Sequence, residues 1–136
     1  MCAIVWTQAK FLPMGPRNAI WFPTGLVWLV WGTAAALVAA ALWQMWRHRT
    51  TVHPHDMASK LVTSGAFGIS RNPIYVADVL VLVGVVLRFG TVVSTLCVGV
   101  FIWVLQRRFI LAEELRLKSQ FPALWTEYKN KTRRWI

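Results

Sequence analysis

Residues 18–46 carry no charged side chain, and that constrains this chain more than anything else in it. Within the stretch, Pro23 to Trp46 reads PTGLVWLVWGTAAALVAAALWQMW. A helix that crosses a bilayer needs about 20 apolar residues, and this run supplies them. Trp21 stands at one end and Trp43 and Trp46 at the other, where amphipathic rings favour the headgroup level. Arg47-His48-Arg49 stops the run. Of the 136 residues, 57% are hydrophobic and 15% charged. A soluble domain averages roughly 25% charged residues. These proportions exclude an ordinary soluble domain and a disordered chain, and the length fits a single domain over residues 1–136.

Two more apolar runs follow. Residues 74–87 (IYVADVLVLVGVVL) are apolar apart from Asp78, and residues 91–106 (TVVSTLCVGVFIWVLQ) are apolar again, with no charged side chain. Arg88-Phe89-Gly90-Thr91 reads as a tight turn between them, which makes an antiparallel helical hairpin. Pro73 suits the first turn of the first arm, where a missing N–H does no harm. The spacing therefore predicts an all-α integral membrane bundle with three full transmembrane helices, at residues 23–46, 73–88 and 90–107. A cytoplasmic segment covers residues 47–72 and a cytoplasmic tail residues 108–136. The opening MCAIVWTQAKFL is apolar but too short to span, so a truncated N-terminal helix is expected there. After Arg107 the pattern stays helical, and Phe121, Trp125 and Tyr128 recur at i, i+4 and i+7 as an interfacial anchor or packing face.

Charge sets the expected orientation. There are 15 Lys and Arg against 5 Asp and Glu. All but Lys10, Arg17 and Arg88 of these bases lie in residues 47–72 or after residue 106. Such clustering beside apolar runs is the mark of cytoplasmic loops, so both segments should meet at the cytoplasmic face. The positive charge is read as membrane orientation and attraction to anionic lipid, with no nucleic-acid partner. Cys2 and Cys97 form no disulfide framework, and no signal segment precedes Cys2, so a cleaved leader is not expected.

The chain lacks the glycine fingerprint of dinucleotide folds, a P-loop and a nucleophile elbow. His48, His53 and His55 have no acidic or Cys partner at ligand spacing, so no metal site is assigned. Three features remain. Arg71-Asn72-Pro73-Ile74-Tyr75 stands where a polar loop enters a membrane helix, whose free N–H groups and dipole favour an anion. Helix capping, with Arg71 on lipid phosphate, reads the same residues equally well. Asp78 lies one turn deeper on the face of Tyr75, and an ionisable group at that depth is a functional candidate. Glu113-Glu114 extend the last apolar helix. Arg107 and Glu114, seven apart, should share a helix face. Spacing alone favours ordinary surface pairs for the doublet, Glu113 with Arg116 and Glu114 with Lys118.

Three blocks then occur in order: LVTSGAFGISRNPIY at 61–75, the acidic doublet after a hairpin, and a tail of the form F-P-x-x-W-x-x-Y-K-x-x-x-R-R-W. Together they resemble the isoprenylcysteine carboxyl methyltransferase and phospholipid methyltransferase superfamily, most closely its small bacterial members, over residues 20–136. The resemblance implies an integral membrane methyltransferase, in the bacterial inner membrane, using S-adenosyl-L-methionine on a lipid-like or prenyl-like acceptor. It implies that Leu61 and Val62 border the adenosyl group and that Asn72, Pro73, Ile74 and Tyr75 hold the cofactor's polar end. Glu113 or Glu114 would complete that site, with Arg107 or Arg108 near the acceptor. Many relatives have His at the position of Asn72. Asn donates a hydrogen bond but takes up no proton, so no catalytic residue is assigned. Carboxyl O-methylation is placed ahead of phospholipid amine N-methylation. A small non-catalytic membrane protein that keeps the fold is the reading from another class.

Overall fold

The computed structural model describes residues 23–49, 61–89 and 92–136. Among them every regular element is helical: α1 (Thr24–Arg47), α2 (Ala66–Ile69), α3 (Pro73–Phe89), α4 (Val92–Leu105), a π-helical segment (Gln106–Ile110), α5 (Leu111–Gln120) and α6 (Pro122–Lys131). The expected N-terminal helix over residues 1–12 lies outside the described residues, as do His53 and His55.

The long charge-free run forms α1 because it is rich in Ala and Leu and contains no internal proline. Its buried residues Val27, Ala34 and Ala41 are spaced by seven, two helical turns apart, and so form one narrow seam. That seam packs along α3, which buries Val76, Ala77, Leu82 and Gly84. Small residues on both helices let the backbones approach closely, the main source of helix association in lipid. At Gly84 there is no room for a side chain, and a Cβ there would collide with Nε1 of Trp31. The same indole N–H donates to the carbonyl of Val81 at 3.2 Å, which pins the ring across α3.

The other faces of α1 are apolar and uncovered, with Trp28 at 65% and Trp46 at 71% exposure. Leu96, Val100 and Trp103 of α4 are likewise exposed. Burying apolar area is worth roughly 25 cal/mol per Å², so such faces are stable against hydrocarbon and costly in water. Among the described residues, two continuous helices are long and apolar enough to cross a membrane, Thr24–Arg47 and Ser94–Gln120. The sequence pattern asked for three full spans. α3 has 17 residues, about 26 Å of helix, and falls short of the roughly 30 Å of hydrocarbon.

The helix of the third span continues past residue 107, in line with the helical pattern read after Arg107. The chain passes through the π segment directly into α5 and stays helical to Gln120. Phe121 then leaves the helical region (φ −133°, ψ 61°) because Pro122 follows, and the residue before proline is pushed out of α geometry. The bend turns α6 back toward the loop before α3. Trp125 and Tyr128 are buried there, so the expected aromatic stripe is a packing face.

Candidate functional site

The site forms where the loop before α3, the first turn of α5 and the C-terminal tail meet. Ser70 is extended (φ −135°, ψ 142°), and Pro73 opens α3 two residues after Arg71. Asn72 caps α3 through its backbone: its carbonyl accepts from the N–H of Val76 at 3.0 Å, and its own N–H donates to Oγ of Ser70 at 3.1 Å. The tail runs alongside. The N–H of Arg71 donates to the carbonyl of Arg133 at 2.9 Å. The carbonyl of Arg134 accepts twice, from Oγ of Ser70 at 3.2 Å and from Nδ2 of Asn72 at 3.0 Å.

The acidic doublet comes to this corner. Arg71 places Nη1 2.9 Å from Oε1 of Glu114. Arg134 grips the same carboxylate from the other side, with Nε 3.0 Å from Oε1 and Nη2 2.7 Å from Oε2. The side chains of Arg71 and Glu114 are only 8% and 12% exposed, and that of Arg134 30%. The hydrogen bond to Glu114 holds the Arg134 guanidinium protonated above its already high range. The ring of Trp125 lies 5.5 Å from Cζ of Arg71 and offsets part of its burial by a cation–π contact. Nε of Arg71 is buried with no acceptor among the described residues. Tyr128 closes the floor: its OH donates to the carbonyl of Phe67 at 2.6 Å, and burial pushes the phenol well up, which keeps it a donor.

Glu113 faces a different partner. The OH of Tyr75 donates to its Oε1 at 2.9 Å, across 38 residues of chain. The Tyr75 ring leans on Phe109, with centroids 6.3 Å apart and planes 39° apart. Arg116, one turn on, adds its field to the Glu113 carboxylate. Asp78 is exposed on α3, one turn beyond Tyr75.

Several expectations change here. Glu114 is not paired with Lys118 at the surface; both its oxygens are taken by Arg71 and Arg134. Arg107 and Glu114 do not share a face. A π turn holds about one residue more than an α turn, so α5 beyond it is rotated by about 100° from an unbroken α register. Arg107 and Arg108 are accordingly exposed, while Glu114 turns inward. Val62 and Pro73 are buried, and Leu61 and Ile74 half-buried. Gly65, at φ +61°, draws this loop onto the end of α1, where a Cβ would run into the Gln44 side chain. Ser64 reinforces that contact by donating to Oε1 of Gln44 at 3.3 Å. Among the described residues no three His, Cys, Asp or Glu stand close enough to hold a metal.

Residue-by-residue reading missed Arg134, whose side chain and carbonyl join three parts of the site. The signal was present in the R-R-W block, but basic residues beside a membrane read first as surface charge. Trp135 also reaches in, with Nε1 3.4 Å from Oε1 of Gln106 in the π segment.

The model of the family described as phospholipid methyltransferase matches residues 24–123, from the start of α1 into the first turn of α6. Trp125, Tyr128 and Arg134 lie beyond the matched residues. No curated protein and no solved structure matches the chain.

Proposed function

The chain belongs to the phospholipid methyltransferase family, and from that premise we propose that it transfers a methyl group from S-adenosyl-L-methionine to a lipid-like acceptor at the cytoplasmic face of a membrane. Methyltransferase chemistry on lipid-like substrates is what the family implies. The observation that carries the reading is the convergence of the Arg71–Tyr75 corner with the acidic doublet, residues about 40 positions apart held by contacts of 2.9 Å.

The donor set fits the amino-acid end of such a cofactor. Glu113 accepts from the Tyr75 phenol, stands in the field of Arg116 and is not the carboxylate gripped by Arg71 and Arg134, so it is the acid of the doublet that a cationic group would meet. Arg71 keeps a buried Nε without an acceptor, which suits a carboxylate. Leu61, Val62 and Ile74 offer apolar surface for an adenosyl group. Pro73 and the Asn72 carbonyl fix the start of α3 and hence the place of Tyr75. When bound, the cofactor supplies an activated methyl on a sulfonium. The chain's own residues then bind, orient and exclude water, and alignment of that kind is worth up to about 7–11 kcal/mol. A carboxylate acceptor needs no general base, and an amine needs only to arrive neutral.

The exposed apolar faces of α1 and α4 support a bilayer setting for an acceptor with an apolar tail. Arg107 and Arg108 are exposed where the apolar part of the long helix ends, which supports a role for them beside its polar group. The loop before α3 and the basic tail meet at one end of the bundle, which supports a cytoplasmic orientation for that end.

The test is binding followed by transfer. The detergent-solubilised chain titrated with S-adenosylhomocysteine should bind it saturably, and labelled methyl should pass from S-adenosylmethionine into a membrane lipid extract. Absence of both outcomes sinks the enzyme reading in favour of a non-catalytic membrane protein. Mild alkali separates the acceptors: a methyl ester releases its label, as carboxyl methylation requires, and a methylated amine keeps it.

A further inference from the structure

We propose that Arg134 is a positioning residue of the site, which makes the C-terminal tail part of the ligand-binding machinery. The inference rests on the cofactor reading above and deepens it.

The helix α5, Leu111–Gln120, buries none of its own residues, and the π segment before it buries only Ile110. Core packing therefore fixes its rotation weakly. What holds its first turn is polar: Tyr75 on Glu113, and Arg71 with Arg134 on Glu114. Of these ties, the side-on contact from Nε and Nη2 of Arg134 engages both Glu114 oxygens at once. Such a fork fixes the plane of the carboxylate as well as its distance. Arg134 is itself held, because its carbonyl accepts from Ser70 and from Asn72. One residue thus locks the orientation of α5 to the loop that starts α3.

The result divides the doublet. Glu114 is neutralised by two arginines and serves as framework. Glu113, its covalent neighbour, is turned to Tyr75, with the field of Arg116 one turn on. Arg134 acts on a ligand through Glu113, by fixing where that carboxylate stands. The ligand feature it governs is a cationic group, such as the ammonium of an amino acid joined to a nucleoside.

The test compares two nucleosides on the full chain in detergent. S-adenosylhomocysteine carries the amino-acid portion, and 5′-methylthioadenosine lacks it. Arg134→Ala should weaken S-adenosylhomocysteine at least tenfold and leave 5′-methylthioadenosine within twofold. Glu113→Gln should give the same pattern, and the double variant should bind no more weakly than Glu113→Gln alone. Equal weakening of both nucleosides, an unchanged affinity in Arg134→Ala, or additive losses in the double variant each overturn the positioning role while the cofactor reading stands. If the unaltered chain binds neither nucleoside, the cofactor reading falls and this role falls with it. Should Arg134→Ala lose its melting transition, Arg134→Lys keeps the charge without the two-pronged contact. It should show the same selectivity with at least a threefold loss for S-adenosylhomocysteine, and equal or no loss for the two nucleosides overturns the proposal.

Discussion

Glu113 and Glu114 are adjacent on the first turn of α5, yet the regions around them differ in kind. On the Glu114 side, two arginines grip one carboxylate and a tryptophan ring lies against one of them, with three backbone-stitching contacts from the tail. On the Glu113 side there is one phenol hydrogen bond, a tilted aromatic pair and the field of Arg116 one turn on. In the first region two arginines lock one carboxylate in place, and in the second the carboxylate is held by a single hydrogen bond. A carboxylate gripped on both oxygens holds a structure in place, whereas one held by a single hydrogen bond has acceptor capacity left for a ligand.

The contrast breaks most directly at Glu114. Replacing it with Gln leaves Arg71 buried without its counter-ion, and removing one partner of a buried pair costs about 3 kcal/mol. A clearly lower melting temperature in detergent is expected, and an unchanged one would mean that the cluster is ornamental. Glu113→Gln should do the reverse. It should leave the melting temperature alone and weaken S-adenosylhomocysteine at least tenfold, about 1.4 kcal/mol. If the two variants exchange these phenotypes, the assignment of framework and ligand acid is inverted.

Tyr75→Phe sharpens the second side. It removes one hydrogen bond worth about 1 kcal/mol and keeps the ring against Phe109, so a several-fold loss of affinity is expected without unfolding. A loss as large as that of Glu113→Gln would show the phenol to be a ligand group in its own right. The smallest effect belongs to Lys131→Ala. Its pair with Glu127 lies on the exposed face of α6, where Lys131 holds the Glu127 carboxyl below its usual range. Exposed pairs of this kind contribute little, and neither melting nor binding should change measurably.

Much of this architecture was legible in the residues. The absence of charge over residues 18–46 makes the run that forms α1 long and apolar enough to cross a membrane. The three ordered sequence blocks marked which segments matter, and the i, i+4, i+7 aromatics marked α6 as having one packing face. The π segment was not legible. QRRFI contains nothing that an α-helix would refuse, and the extra residue shows only in the backbone. It overturned the shared face of Arg107 and Glu114 because a rule of helical periodicity holds only while the helix stays α.

The role of Arg134 was hidden for a related reason. In sequence it is one base among eight in the tail, 20 residues from Glu114 and 63 from Arg71. Only the bend at Phe121 and the return of α6 decide that it meets those two and not lipid. By itself, then, the sequence determined the environment, through the free energy of moving apolar or charged groups between water and hydrocarbon, a quantity local to each residue. The tertiary structure decided which charges pair and which stay open. Pairing depends on ångström distances between segments far apart along the chain, and a single extra residue in one helical turn is enough to change them.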